Sequence, residues 1–400
     1  MKSEYSEQTG HWLSEASKEK RKKLGQYMTP QALREQLIDQ VTLFPGIRVL
    51  DPSCGTGEFL RSVLDREPSA NVVGWDIDKD ILEFAKILVP EAKLELRDSL
   101  VPYSDKPFDL VIGNPPYFQF KPAKEIRQHF SQVISGRPNI FAMFFQIAFD
   151  CVTKNGEIAY VIPPSMNNGA YFSGLREYIA GQSSITYLSI IEDAHKFVDA
   201  QTAVQLLVLK AGRQSSKYIF KREDKKANFR RIIFSTKASE LEDLFRNRRS
   251  LYQLGYEAIT GGIVWNQRKN DLRATKERGT TPLIWAHNLL NGEVVMKENQ
   301  PKKPQYIRES KTLTGPAIIV NRIVGSVGAS SLRAGLIEEG ISFVGENHVN
   351  VIRARVKDTQ VSFPELLELL LSPETAHRIK LVTGNTQISA TELNHFTPFD

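Results

Sequence analysis

Between residues 47 and 113 short β-rich runs alternate with helical stretches: Ile47-Arg48-Val49-Leu50, Val72-Val73-Gly74-Trp75, Leu94-Glu95-Leu96 and Phe108-Asp109-Leu110-Val111-Ile112. Parallel neighbours in a sheet need a long crossover between them, and a helix supplies it, so this pattern predicts an α/β fold with a mostly parallel sheet. Further runs at 157–162, 185–191 and 203–209 extend the expected sheet to about seven strands. Helical patterns at 139–152 and near 173–180 lie between them.

A chain of 400 residues, 41% hydrophobic and 24% charged, has globular composition and room for two or three domains of roughly 150 residues each. The polar stretch that begins at Gly212-Arg213-Gln214-Ser215-Ser216 and continues through Lys221-Arg222-Glu223-Asp224-Lys225-Lys226 marks the expected boundary. Beyond it the elements are short, with many Gly, Asn and Pro, and with Trp265, Trp285, Arg268 and Arg322 beside apolar runs. Charge divides at the same place. Residues 1–210 hold 23 Lys and Arg against 26 Asp and Glu, which leaves 29 against 20 for residues 211–400. A near-neutral first half joined to a basic second half favours a polyanion-binding module appended to something else. The expected organisation is a basic, solvated lead-in over 1–23, a first domain over 24–212 and a second over 213–400.

Two cysteines, Cys54 and Cys151, exclude a disulfide framework, and the seven histidines form no cluster with zinc-ligand spacing, so no metal is expected. The longest apolar run, 140–149, is broken by Gln146 and too short to span a bilayer, and the first residues are unlike a signal peptide. A cytoplasmic protein without a membrane partner is expected.

The first strand runs into Asp51-Pro52-Ser53-Cys54-Gly55-Thr56-Gly57-Glu58 and then a helix beginning near Phe59. Gly55 and Gly57 let the backbone approach a ligand and expose amide N–H groups at a helix start, which suits a nucleotide-like group. About 20 residues on, the second strand ends in Asp76-Ile77-Asp78, where a carboxylate meets a ribose diol. The third strand exits at Arg97-Asp98-Ser99 and the fourth at Asn114-Pro115-Pro116-Tyr117. Two consecutive prolines fix φ and remove two N–H donors, so this last loop is rigid and offers acceptors. Asn114 Oδ1 and the Pro115 carbonyl suit an exocyclic –NH2 group, and Tyr117 suits stacking on the base that carries it. Upstream, Gly25-Gln26-Tyr27-Met28-Thr29-Pro30 reads as a helix start with Thr29 at the N-cap.

With these loops in this order, the chain resembles the gamma-class amino-DNA methyltransferases, similar to the TaqI adenine methylase of restriction–modification systems. The glycine loop resembles an S-adenosylmethionine site and not a dinucleotide fingerprint, since Leu60 stands where a third glycine would be. The resemblance implies a Rossmann-like S-adenosylmethionine-dependent methyltransferase sheet followed by a mixed α/β DNA target-recognition domain. It implies cofactor contacts from Tyr27, Thr29, Asp51, Pro52, Cys54, Gly55, Gly57, Asp76, Ile77, Asp98, Ser99 and Phe144, and catalytic roles for Asn114, Pro115, Pro116 and Tyr117. Asn155-Gly156-Glu157 leading into Tyr160-Val161-Ile162-Pro163 resembles the family's sixth motif. His195-Lys196-Phe197-Val198 resembles the motif whose aromatic, here Phe197, stacks on a flipped base, and Phe141 and Phe144 read chiefly as core. In the second half, Asn321-Arg322-Ile323-Val324-Gly325 and Thr383-Gly384-Asn385-Thr386-Gln387-Ile388-Ser389 resemble target-recognition domains. The implied activity is methylation of adenine N6 in a short double-stranded DNA site, with Asn rather than Ser at position 114 favouring adenine over cytosine, and with a cognate restriction endonuclease as partner. The alternatives are an RNA or protein-glutamine methyltransferase, since Asn-Pro-Pro-Tyr also occurs there, and a non-catalytic DNA-specificity module.

Overall fold

The computed structural model describes all residues except 1–3, 104–106, 135–137, 192–202, 213–215, 225–228, 247, 298–299, 301, 323–331, 384–387, 396 and 400. The chain divides into two compact units, one of residues 1–221 with 232–238 and one of 222–231 with 239–400. The sequence places a boundary at 212. Residues just beyond that position, among them Ile219, Ile232 and Phe234, bury their side chains in the first unit's core.

The first unit is built on a seven-stranded sheet. Its strands are β1 (Arg48–Asp51), β2 (Asn71–Asp76), β3 (Lys93–Leu96), β4 (Phe108–Gly113), β5 (Val152–Ile162), β6 (Ser183–Ile191) and β7 (Val204–Ala211), in the order β3-β2-β1-β4-β5-β7-β6. The first five run parallel, and β7 is inserted antiparallel between β5 and β6. The strands read as continuous apolar runs because both faces are covered. Leu50, Trp75 and Val111 face one layer, while Val49, Leu110 and Ile112 face the other.

Helices α1 (Glu7–Glu15), α2 (Lys18–Leu24), α3 (Gln31–Ile38), α4 (Glu58–Arg66), α5 (Lys79–Leu88), α6 (Lys124–His129), α7 (Phe141–Cys151) and α8 (Ser173–Gln182) accompany the sheet. α7 is apolar on every side, and all of it but Asp150 is buried, as an all-round hydrophobic helix requires. The chain goes outward through β1, β2 and β3, then crosses back to lay β4 on the other side of β1. That reversal opens a crevice at the carboxyl ends of β1 and β4, where ligands bind in open α/β sheets.

Two expectations are corrected. The basic lead-in is not a solvated tail: it forms α1 and α2, capped by Ser6 and Ser17 and closed by Gly25 in the left-handed conformation. Trp12 is 2% exposed, and Lys20 pairs with Asp78 at 3.0 Å and Asp80 at 2.9 Å, which explains why the segment stays down. Thr29 is not the N-cap of α3; Pro30 holds that place without a side-chain bond, and the helix begins at Gln31.

The second unit has a six-stranded sheet formed by Tyr256–Thr260, Val349–Ala354, Ala317–Asn321, Ala334–Ile337, Gly292–Val294 and Leu289–Leu290, in that spatial order, and a smaller five-stranded one. Phe363–Leu371, whose Ser362 and Glu365 form a capping box, buries Leu366 and Leu370 against this sheet with Tyr256, Ile318 and Ile352. Among the described residues no helix is long and apolar enough to cross a membrane.

Candidate active site

The loops that begin at Pro52, Ile77, Arg97 and Asn114 leave the carboxyl ends of β1, β2, β3 and β4 of the same sheet, and the segment 25–30 joins them from between α2 and α3. After β1, Gly55 turns the chain with φ of 53°, and its N–H donates to Asp76 Oδ2 at 2.9 Å. The second strand therefore grips the glycine loop through its terminal carboxylate. Asp76 also accepts from the Asp78 N–H at 2.9 Å, yet burial outweighs both bonds and pushes its carboxyl up to about 6. Asp51 accepts from the Ser53 N–H at 3.0 Å and is pushed by burial up to about 8. Ser99 Oγ donates to the Pro52 carbonyl at 2.6 Å, and Asp98 accepts from the Leu100 N–H at 2.9 Å, tying the third loop to the first.

These loops enclose a cavity of about 280 Å³. Tyr27, Thr29, Asp51, Pro52, Cys54, Gly55, Asp76, Ile77, Asp98, Ser99, Asn114, Pro116 and Phe144 all line it. Gly57, Pro115 and Tyr117 are not on its wall. Gly57 instead caps α4 with φ of 88°, and a Cβ there would come within 2.9 Å of Val89, so this glycine serves the turn and the packing of α5. Phe197 lies outside the described residues.

The Asn-Pro-Pro-Tyr loop is fixed from beneath. Asn114 Nδ2 donates to the Tyr27 carbonyl at 2.7 Å, which sets the orientation of the amide. The Tyr117 hydroxyl donates to Asn114 Oδ1 and lies 2.5 Å from the Val161 carbonyl. Burial pushes the Tyr117 phenol well up, so it remains a neutral donor. The Tyr117 ring is half-buried, edge-on to Phe141 and nearly parallel to the Tyr27 ring, with 6.4 Å between the latter two centroids. Phe118 and Phe120 are the aromatic side chains of this segment on the cavity wall. Gly25 explains how the first motif reaches this loop: a Cβ there would stand 2.9 Å from the Tyr117 nitrogen and 3.0 Å from Pro116.

Sequence reasoning missed a buried ion pair at the cavity. Arg34 on α3 and Glu58 on α4 meet at 2.7 Å with side chains 5% and 8% exposed. Arg34 also donates to the Thr29 carbonyl at 2.5 Å and to Ser62 Oγ at 3.1 Å, while Glu58 accepts from Ser6 N and Oγ. Desolvation lowers the Arg34 pKa, and Glu58 opposes it. The available signal was a charge inside the apolar face Leu33-Arg34-x-x-Leu37-Ile38.

Residues 71–197 match the Eco57I restriction-modification methylase family. Over those residues the chain is similar to a restriction-modification methylase domain. It is 27% identical over 226 residues to the modification methylase CviBIII of Paramecium bursaria Chlorella virus NC1A, a match covering 54% of this chain and 58% of that protein. It is 24% identical to the type II methyltransferase M.CvrRI of Paramecium bursaria Chlorella virus XZ-6E, covering 76% of this chain and 77% of that one. With M.BsuBI of Bacillus subtilis the identity is 23%, covering 92% and 86%. The chain thus spans somewhat over half the length of the first of these relatives and more of the others.

The cofactor of the methylase domain is S-adenosylmethionine, and the cavity fits it. Asp76 and Phe144 both border the cavity. Buried Ser53 Oγ and Thr29 Oγ1, which have no hydrogen-bond partner, are polar groups left for a ligand with amine and carboxylate functions.

Proposed function

We propose that this chain is a site-specific DNA methyltransferase that moves a methyl group from S-adenosylmethionine to the exocyclic N6 of an adenine flipped out of double-stranded DNA. Its setting is a restriction–modification system in the cytoplasm, with an endonuclease that cuts the same unmodified site. The observation that carries this reading is Asn114: it lines the same cavity as the glycine loop and Asp76, and its amide orientation is fixed by Tyr27.

S-adenosylmethionine supplies a methyl group already activated by its sulfonium. The chain's task is then positioning, the part of catalysis that converts a bimolecular step into a unimolecular one. Asn114 Oδ1 has two acceptor positions. Tyr117 takes one, and the other is available to an N–H of the target amine. The amine is thereby held at Asn114 with its lone pair directed toward the cofactor. Flipping the base costs roughly a few kcal/mol, which stacking at roughly 1–3 kcal/mol per contact offsets. Phe118 and Phe120 are placed to provide such contacts.

Asn114→Ala tests the assignment. Removing the acceptor should lower turnover by roughly 10²-fold or more, as for other single positioning groups. Cofactor affinity, read by calorimetry, should stay within about threefold, because the glycine loop is untouched. Turnover within about tenfold of the unaltered chain would reject the role.

A further inference from the structure

Four strands of the second unit's main sheet have their ends together. Thr260 is opposite Asn350, Asn321 opposite Val349, and Val320 opposite both Asn350 and Ala334. The segments leaving these strands are stitched to one another. Ile263 N–H donates to Gly345, Asn347 N–H to Ile263 and Arg322 N–H to His348. Gly261 is required where two of them meet, because any Cβ would overlap the Glu346 carbonyl. The two segments that resemble target-recognition domains also meet here, through a 2.7 Å bond from the Ile388 N–H to the Arg322 carbonyl.

Three residues of this frame, Arg322, Asn347 and His348, lie side by side, two of them with unspent hydrogen-bonding capacity and the third with an exposed ring. Glu346, 1% exposed, accepts from the His348 N–H at 2.9 Å and holds His348 Nδ1 at 2.8 Å. A carboxylate only accepts, so Nδ1 carries a proton and donates it to Glu346, which fixes the ring. The His348 side chain is 49% exposed. Arg322 Nη1 donates to the Asn347 carbonyl at 2.9 Å, while Arg322 Nε and Asn347 Oδ1 are buried without a partner.

We propose that Arg322, Asn347 and His348 form a base-reading cluster that hydrogen-bonds base edges in a DNA groove. The proposal rests on the DNA methyltransferase reading above. The mixture of roles decides between bases and phosphates: a phosphate only accepts, so it satisfies Arg322 but not Asn347 Oδ1. Base edges present donors and acceptors together, with an arginine fork suited to guanine and an amide oxygen or imidazole nitrogen suited to an exocyclic amine. The locked orientation has the same meaning, since reading a base requires a direction and neutralising a phosphate does not.

The test uses the full chain. The target site is first defined by expressing it in a methylation-free bacterial host and sequencing the modified genome. Binding to the target duplex is then competed against duplexes with one base pair changed, for the unaltered chain, His348→Ala and Arg322→Lys. His348→Ala removes an exposed ring and leaves the frame intact; Arg322→Lys keeps the charge and loses the fork. Each variant should lose discrimination at one base pair by about tenfold while other positions and the salt dependence are retained. Discrimination unchanged at every position in both variants overturns the cluster. So does a salt slope lowered by about 0.9 in His348→Ala with discrimination intact, which would mark a phosphate contact. An unaltered chain that modifies no DNA removes the functional reading itself, a result distinct from either of these.

Discussion

At the residue scale the two buried acids at the glycine loop matter most. The Asp76 carboxyl is held near 6 in the free protein by burial, so it is protonated at mildly acidic pH. A ribose diol donates to an ionised carboxylate, and a proton on Asp76 removes acceptor capacity, so cofactor affinity should fall as pH drops through about 6. Asp76→Ala should weaken binding by roughly 1.5–3 kcal/mol and abolish that pH dependence. Titration calorimetry between pH 5 and 8, in steps of about half a unit, checks both; a flat profile for the unaltered chain, or unchanged affinity in the variant, counts against the ribose role. Asp76 was legible in the sequence because its spacing from Gly55 is set by one strand–helix–strand unit. The contacts of Tyr117 were not, since its hydroxyl meets Asn114 and Val161, the latter 44 residues away along the chain.

At the scale of elements, the strands of the first unit could be read because each carries its own apolar run and turn. The interplay of α3 and α4 could not, since the Arg34–Glu58 pair spans two helices, and the charge of Arg34 on an apolar face does not by itself say which residue answers it. Breaking a buried pair leaves one charge unpaired, and Arg34→Ala should cost roughly 3–5 kcal/mol in urea unfolding. Replacing both residues by apolar side chains, Arg34→Met with Glu58→Leu, should cost less than the single change. A loss below about 1 kcal/mol for Arg34→Ala would show that the pair does not hold these helices together. That α1 and α2 pack down was not legible for a related reason: their sequence is mostly polar and reads equally as a mobile or a helical lead-in, and what keeps them on the unit is one tryptophan and a few polar contacts to α5 and the glycine loop.

At the scale of the whole molecule the charge asymmetry, near-neutral over residues 1–210 and basic over 211–400, is what the proposed function expects if the second half supplies the polyanion contacts. The sequence made the first unit legible because parallel sheets impose long, regular spacings. The second unit is assembled from strands as short as two residues whose partners are far apart in the chain, such as Leu289–Leu290, so its sheets emerge only in three dimensions. The central claim is the chemical destination of the methyl group. Labelled S-adenosylmethionine should be incubated with the full chain and, separately, duplex DNA, RNA and a glutamine-bearing protein substrate, and the acceptors digested and separated. Label in N6-methyladenine from the duplex alone is the predicted result. Label on cytosine, on RNA or on protein glutamine, or no transfer to DNA, would contradict it.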